Sequence, residues 1–596
     1  MGMTWTLGRR FRLAAGQAVC SLAALGFASA QATIPEAVNT GKRWEVYKES
    51  WTAEDEAGYA EFVQAIGRSD CTSLPSCLEN EANPYRSQSD PVLRGDCADM
   101  AYVLRAYYAW KNGLPFSFQN AMRTADGARQ DIRYSSEGNV VTHRRSVRNY
   151  VTNAHTFLKS IGGQVSTAMF RTHPETGGGR THDDFYPVEV SRESVKPGVI
   201  AYDIYGHVGI VYDVLDDGRV LIIASHPDQS VTRSTYGPNF MRSKPELGAG
   251  LKAWRPIFVE GAEKSEDGSL VGGELRAASN EDIEDFSLEQ YYGNVPHPSG
   301  VWHYGEFRFQ DRTLKYYDYV RRKLAAPGFA YDPTEELRFG LETICGAIKA
   351  RKVAVDSALM SNIHLKPHPK KLPPNIYGTY GEWEEYSTPS RDARLKVSFI
   401  ELRREMQELV KHVEEGDPSV RYEGENLADD LLKAFNEEKD ACTITYWRSD
   451  KTRMRLNLAH VMDRLFELSF DPYHCPERRW GATGAELESC TDDAEKEQWH
   501  NALKFLRYQA ERTYDVRMDF ALHELKPPMI APPEDGGLGV EAPADADIRA
   551  YLVSLTGPLL ADFEGEPELV YIDFDPGEGS VFLPAWHARL KSGASR

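Results

Sequence analysis

The chain has 596 residues, 41% of them hydrophobic, and a formal net charge of −20. That length exceeds one ordinary core, so about two to four domains are expected. So acidic a chain is a poor match for nucleic acid or an anionic membrane, whose phosphates would repel it.

Arg9, Arg10 and Arg12 precede an apolar stretch from Leu13 to Phe27, and Ala28-Ser29-Ala30 supplies small residues at alternate positions. This pattern predicts a cleaved secretory leader over residues 1–30 and an exported product, periplasmic or secreted. No later apolar run is long enough to span a membrane. Residues 31–80 read as a helical lead-in. Residues 81–258 form a first domain whose most informative position is Cys97, at the start of the helical pattern Met100, Val103, Leu104 and Tyr107. A helix start offers free amides and a positive dipole end, which favour a thiolate. After a flexible Gly177-Gly178-Gly179 loop comes a strand-rich block. In it, Gly206-His207-Val208-Gly209 places a histidine at the head of a strand, and Asp217-Gly218 suits a hairpin turn. With Asp217 and Gly218 at the centre of a two-residue turn, His207 lies opposite Asp228, and Gly209 lies opposite His226. His207, His226 and Asp228 then share one face. Residues 259–300 read as a charged linker. Residues 301–530 read as a helical domain, opened by the capped start Asp332-Pro333-Thr334-Glu335 and carrying a buried stripe at Phe399, Leu402, Met406, Leu409 and Val413. Residues 531–596 form a C-terminal segment with a short helix and a strand-like run, Leu569 to Phe574.

Eight cysteines are present, and Cys20 falls in the leader. In an oxidising compartment the other seven leave at least one thiol unpaired. Cys71 with Cys77, Cys475 with Cys490, and Cys345 with Cys442 are the expected pairs, and Cys97 is the remainder. The rival assignment pairs Cys97 with Cys345 or Cys442. The Asp471 to Pro476 run reads as a disulfide-braced loop and not as a metal site. Cys97 as nucleophile and His207 as base are the minimum kit of a Cys-His hydrolase, and His226 or Asp228 would orient the imidazole. Asp96 and Asp99 read as helix-start acids. No metal or cofactor is required.

These motifs resemble the NlpC-type cell-wall peptidases of the papain-like superfamily. Pro84-Tyr85 precedes Asp96-Cys97, and Lys196-Pro197-Gly198-Val199-Ile200 precedes Gly206-His207-Val208-Gly209-Ile210. The likeness covers about a third of the chain. It departs from the family pattern at Ala98-Asp99, where Ser-Gly is usual. It implies an α+β papain-like catalytic domain with an antiparallel sheet, followed by the mainly helical domain. It also implies Tyr85 and Asp96 on the substrate side, and a peptide or cell-wall substrate cleaved at an amide. The helical half would shape the substrate groove or bind a protein partner. A transglutaminase-like acyl transferase and a non-catalytic envelope scaffold are the alternatives.

Overall fold

Thr52 opens the first helix by accepting from the Asp55 amide, while Asp55 accepts from the Thr52 amide; α1 then runs Ala53–Arg68. The computed structural model describes residues 37–147, 152–175, 182–374, 381–510, 519–525, 542–557 and 571–572. The expected leader, the Gly177–Gly179 loop and most of the C-terminal segment lie outside them. The described residues belong to one compact unit.

Helix α2 (Leu74–Glu79) follows, its first turn inside the loop closed by the Cys71–Cys77 disulfide. Helix α3 (Cys97–Lys111) comes next, and it departs from the one-sided burial its pattern suggests. All fifteen of its residues are buried. Its two cations are neutralised in place. Arg105 makes a two-pronged bond to Glu56 at 2.7 and 2.6 Å and lies over the Trp51 ring, and Lys111 meets Asp90 at 2.7 Å. A helix enclosed on every side can keep charged residues only when each has a partner.

A hairpin of β1 (Ser117–Thr124) and β2 (Asn139–Ser146) leads to α4 (Ala154–Ile161). The main sheet then assembles from β3 (Phe185–Pro187), β4 (Ile200–Asp203), β5 (His207–Val214), β6 (Val220–Ser225), β7 (Val231–Thr235) and β8 (Gly250–Trp254). Its order is β3-β8-β4-β5-β6-β7 and every pairing is antiparallel. One face carries α1 and α3 on Val208, Ile210 and Ile223. The other buries Val211, Val220 and Ile222 against a core that includes Tyr319, Val320 and Leu324. A sheet covered on both faces explains the nearly unbroken burial of β5.

The segment 259–300, expected to be a linker, is folded. It holds most of the antiparallel hairpin of β9 (Ile257–Lys264) and β10 (Leu270–Ala277), and then α5 (Glu289–Tyr292). A short hairpin of β11 (Phe307–Phe309) and β12 (Arg312–Leu314) precedes α6 (Tyr316–Leu324). The charge and glycine content of residues 259–277 reflect the exposed two-stranded ribbon of β9 and β10.

The later region is mainly helical. Asp332 caps α7 (Pro333–Met360) by accepting from the Thr334 and Glu335 amides, as its sequence signature predicts. Short α8 (Gly381–Tyr386) leads into α9 (Pro389–Glu414), and α10 (Leu427–Ala441) follows. Phe399, Leu402, Met406 and Leu409 form the buried stripe of α9. The Cys345–Cys442 disulfide ties α7 to the end of α10. A sheet of β13 (Thr443–Trp447), β14 (Arg453–Asn457) and β15 (Tyr571–Ile572) completes this half. Three disulfides are formed as expected, and Cys97 is the free cysteine among the described residues.

Candidate active site

Cys97 owes its position to the cap of α3. The Asp96 carboxylate accepts from the Ala98 and Asp99 amides at 2.9 and 3.2 Å, and the Asp99 carboxylate returns to the Asp96 amide at 3.0 Å. The Asp96 carbonyl takes the Met100 amide. Of the first-turn amides, only that of Cys97 is not used by the cap. The loop before the helix is fastened to the sheet, since Ser225 donates to the Gly95 carbonyl and Gln229 accepts from the Gly95 amide. The helix start is thereby held beside the ends of β5 and β6.

The thiol donates to the Gly206 carbonyl at 3.9 Å, and the Val208 amide also points at the sulfur. Both groups belong to the residues flanking His207. Gly206 has a φ of 76°, the left-handed conformation that the tight β4–β5 turn demands and that glycine adopts without strain. Cys97, His207 and His226 line one cavity of about 120 Å³ together with Asp96, Tyr134 and Thr167.

The hairpin register differs from the expected one. The turn between β5 and β6 spans residues 215–219 and Tyr212 is bulged, so Val214 pairs with Val220 but Ile210 pairs with Ile223. Continued past the bulge, this register brings His226, and not Asp228, beside His207. Their rings stack in parallel with centroids 5.3 Å apart, and Phe240 flanks His207 at 5.8 Å. Thr232 holds the Nε2 of His226 at 2.8 Å. Asp228 turns elsewhere. It accepts from Ser230 at 2.6 Å and from Arg391 at 2.8 and 3.1 Å.

Tyr85 sits in the aromatic core, edge-on to Phe62 and Tyr108, and is 4% exposed. It is not among the cavity-lining residues, whereas Asp96 is. Asp99 is buried beneath Gly95, so close that a Cβ there would lie 2.2 Å from it. That makes Asp99 part of the cap.

The electrostatics overturn the idea of a thiolate favoured by the helix start. Burial first, and then the Asp96 carboxylate, push the Cys97 thiol up, while Arg394 works the other way. Cys97 as a residue is only 6% exposed, which leaves little water to stabilise a thiolate. Burial, with Arg391 and Arg394 adding to it, pushes His226 well below its ordinary value and keeps it neutral. Against the cost of its own burial, Asp228 is held below the usual carboxylate range by Arg391.

One wall of the cavity was not legible in the sequence. Glu384, Ser387, Arg391 and Arg394 come from α8, the head of α9 and their junction, in the helical half. Asp392 anchors this head inward to Arg351 at 2.7 Å, while Arg391 reaches outward to Asp228. Glu384 meets Arg133 at 3.1 Å across the cavity mouth. Nothing in the amphipathic pattern of α9 distinguishes a first turn that faces a site from one that faces solvent.

Elsewhere, His368, Asp471 and His474 form a fully buried network, with His368 2.8 Å from Asp471 and His474 2.6 Å from Ser469. It braces the disulfide loop Cys475–Cys490. Comparison with protein-family models, curated proteins and solved structures gave no match, so the family resemblance rests on the motifs alone.

Proposed function

We propose that the protein is an exported cysteine hydrolase that cleaves amide bonds through a thioester on Cys97, with cell-wall peptides as the substrate class. The observation that carries this reading is the shared cavity of Cys97, His207 and His226, with the cysteine in the first turn of a helix packed on the strand that begins with the histidine. The papain-like resemblance implies such an arrangement, and this supports the reading. Three disulfides suit an oxidising compartment.

In the resting site Cys97 is a neutral thiol. As its sulfur attacks the carbonyl carbon, His207 takes the thiol proton. The Cys97 amide, which the cap leaves unused, donates to the developing oxyanion in this reading. Collapse of the tetrahedral adduct breaks the C–N bond, and His207 returns the proton to the leaving amine. Water then attacks the thioester carbonyl, yields its proton to His207 and releases the acid, and the sulfur leaves reprotonated. His226, held by Thr232, supports the His207 ring from its face.

The test is release of new amine termini from cell-wall peptides by the mature protein, with Cys97→Ala and His207→Ala alongside. Release should fall at least about a hundredfold in either variant, the scale of a lost acid–base or nucleophilic group. Release that survives Cys97→Ala removes the reading. Incorporation of an added amine in place of water would instead mark an acyl transferase. The burial of the thiol favours one further reading, a scaffold with an inert cysteine, which predicts no Cys97-dependent turnover.

A further inference from the structure

We propose that the Arg133–Glu384 ion pair is a latch across the mouth of this cavity, and that a peptide reaches Cys97 only when the pair parts. The inference rests on the hydrolase reading above and adds how that site opens to its substrate.

The site is closed as it stands. Cys97, His207 and His226 are 6, 7 and 6% exposed. Their cavity holds about 120 Å³, whereas a cleft that encloses a ligand of modest size has roughly 300–1,000 Å³. Its two jaws come from the two halves of the chain, and each is fastened at its back. The segment from Glu384 to Arg394 belongs to the helical half. There Trp383 is buried with Phe470 and Tyr473, the Thr388 amide donates to the Phe470 carbonyl at 3.1 Å, and Asp392 holds Arg351 at 2.7 Å. The opposite jaw is the loop between β1 and β2, which brings Arg133 and Tyr134 to the cavity. Asn139 donates to the Ile132 carbonyl at 2.7 Å and Arg171 to the Ser135 carbonyl at 2.6 Å, so this jaw is pinned behind the mouth.

Two ion pairs tie the helical segment to the first domain, and they differ in exposure. The Arg391 and Asp228 side chains are 13 and 1% exposed, and those of Arg133 and Glu384 are 22 and 30% exposed. Parting the inner pair would strand a charge away from water. Parting the outer pair lets both charges hydrate, and Arg133 keeps Asp131 at 2.8 Å. The mouth therefore yields at Arg133–Glu384. Closed, the latch keeps water from the thiol; open, it admits the substrate.

The probes are iodoacetamide, a small thiol reagent, and N-pyrenylmaleimide, a bulky one, applied to the full chain with its disulfides intact. The bulky-to-small rate ratio at Cys97 cancels changes in the thiol itself and reads access. In the parent it should lie below the ratio of a small free thiol. In Glu384→Gln it should rise about two- to fivefold, the worth of a partly exposed ion pair. Added salt should raise it in the parent and leave that variant unchanged. Arg133→Gln should act alike, and the double variant should go no further than either single one, since both remove the same bond. A parent ratio equal to that of a free thiol, or one that Glu384→Gln leaves unchanged, overturns the latch while the hydrolase reading stands. If neither probe modifies Cys97 in the folded parent or variants, the reactive thiol fails and the latch falls with it.

Discussion

The acids at the start of α3 show how burial sets chemistry at the scale of one residue. Burial, with the Asp96 charge behind it, raises the Asp99 carboxyl to about 8. Raised above its unfolded value of about 3.9, it stabilises the fold fully below that value, and the contribution is lost as pH rises through about 8. Asp99→Asn should flatten this decline. In thermal melts from pH 5 to 9, variant and parent should diverge with rising pH, by at most about 1.4 kcal/mol per unit. Parallel curves would mean that Asp99 ionises freely. The same burial disfavours a standing thiolate at Cys97, so the proposed hydrolysis needs His207 to take the thiol proton during attack.

At the scale of elements, close approach and cross-linking decide the packing. Gly67 at the end of α1 meets the bulged Tyr212, where a Cβ would come within 2.2 Å of the ring. The turn at Gly218 is pressed just as tightly on the Arg321 carbonyl of α6, so the turn end of the β5–β6 hairpin is held between α1 and α6. In the helical half, the Cys345–Cys442 bond closes a loop of 97 residues between α7 and α10. Loop-closure entropy gives about 4–5 kcal/mol for a loop of that size. Replacing both cysteines with alanine should lower the urea midpoint accordingly while Cys97 alkylation at low urea stays unchanged. A midpoint shift equivalent to less than about 1 kcal/mol would show that the bundle packs independently of the bridge.

Across the whole molecule, the site is assembled from two halves. The buried Arg391–Asp228 pair joins the β6–β7 loop to the head of α9. Arg391→Leu would leave the Asp228 carboxylate buried without its partner, at about 3–5 kcal/mol. Because Asp228 is depressed, the pair stabilises fully above about pH 4 and the gain is lost as pH falls through the folded value. Denaturation curves should therefore show the variant's deficit at pH 7 shrinking toward pH 3. A deficit that does not change with pH would assign the effect to lost packing.

Much of the site was readable along the chain, and for local reasons. Cysteine arithmetic predicts an unpaired thiol with Cys97 as the first candidate, the Asp96–Asp99 spacing marks a helix start around it, and Asp332-Pro333 announces α7. Each signal lies within a few residues of what it controls. The register of β5 on β6 was not readable, since the bulge at Tyr212 answers to Gly67, 145 residues earlier. The 215–219 turn and that bulged residue each shift the register by one, and together they move His226, and not Asp228, next to His207. The full burial of α3 and the folded hairpin at residues 257–277 likewise depend on what packs over them. So does the arginine wall, which reaches Cys97 from almost 300 residues further along the chain. The sequence by itself determined which side chains are candidates for chemistry and where helices begin, because capping and redox pairing are short-range or compositional. Only the tertiary structure decided which of those groups share a cavity and how charged each one is, because burial and long-range pairing set both.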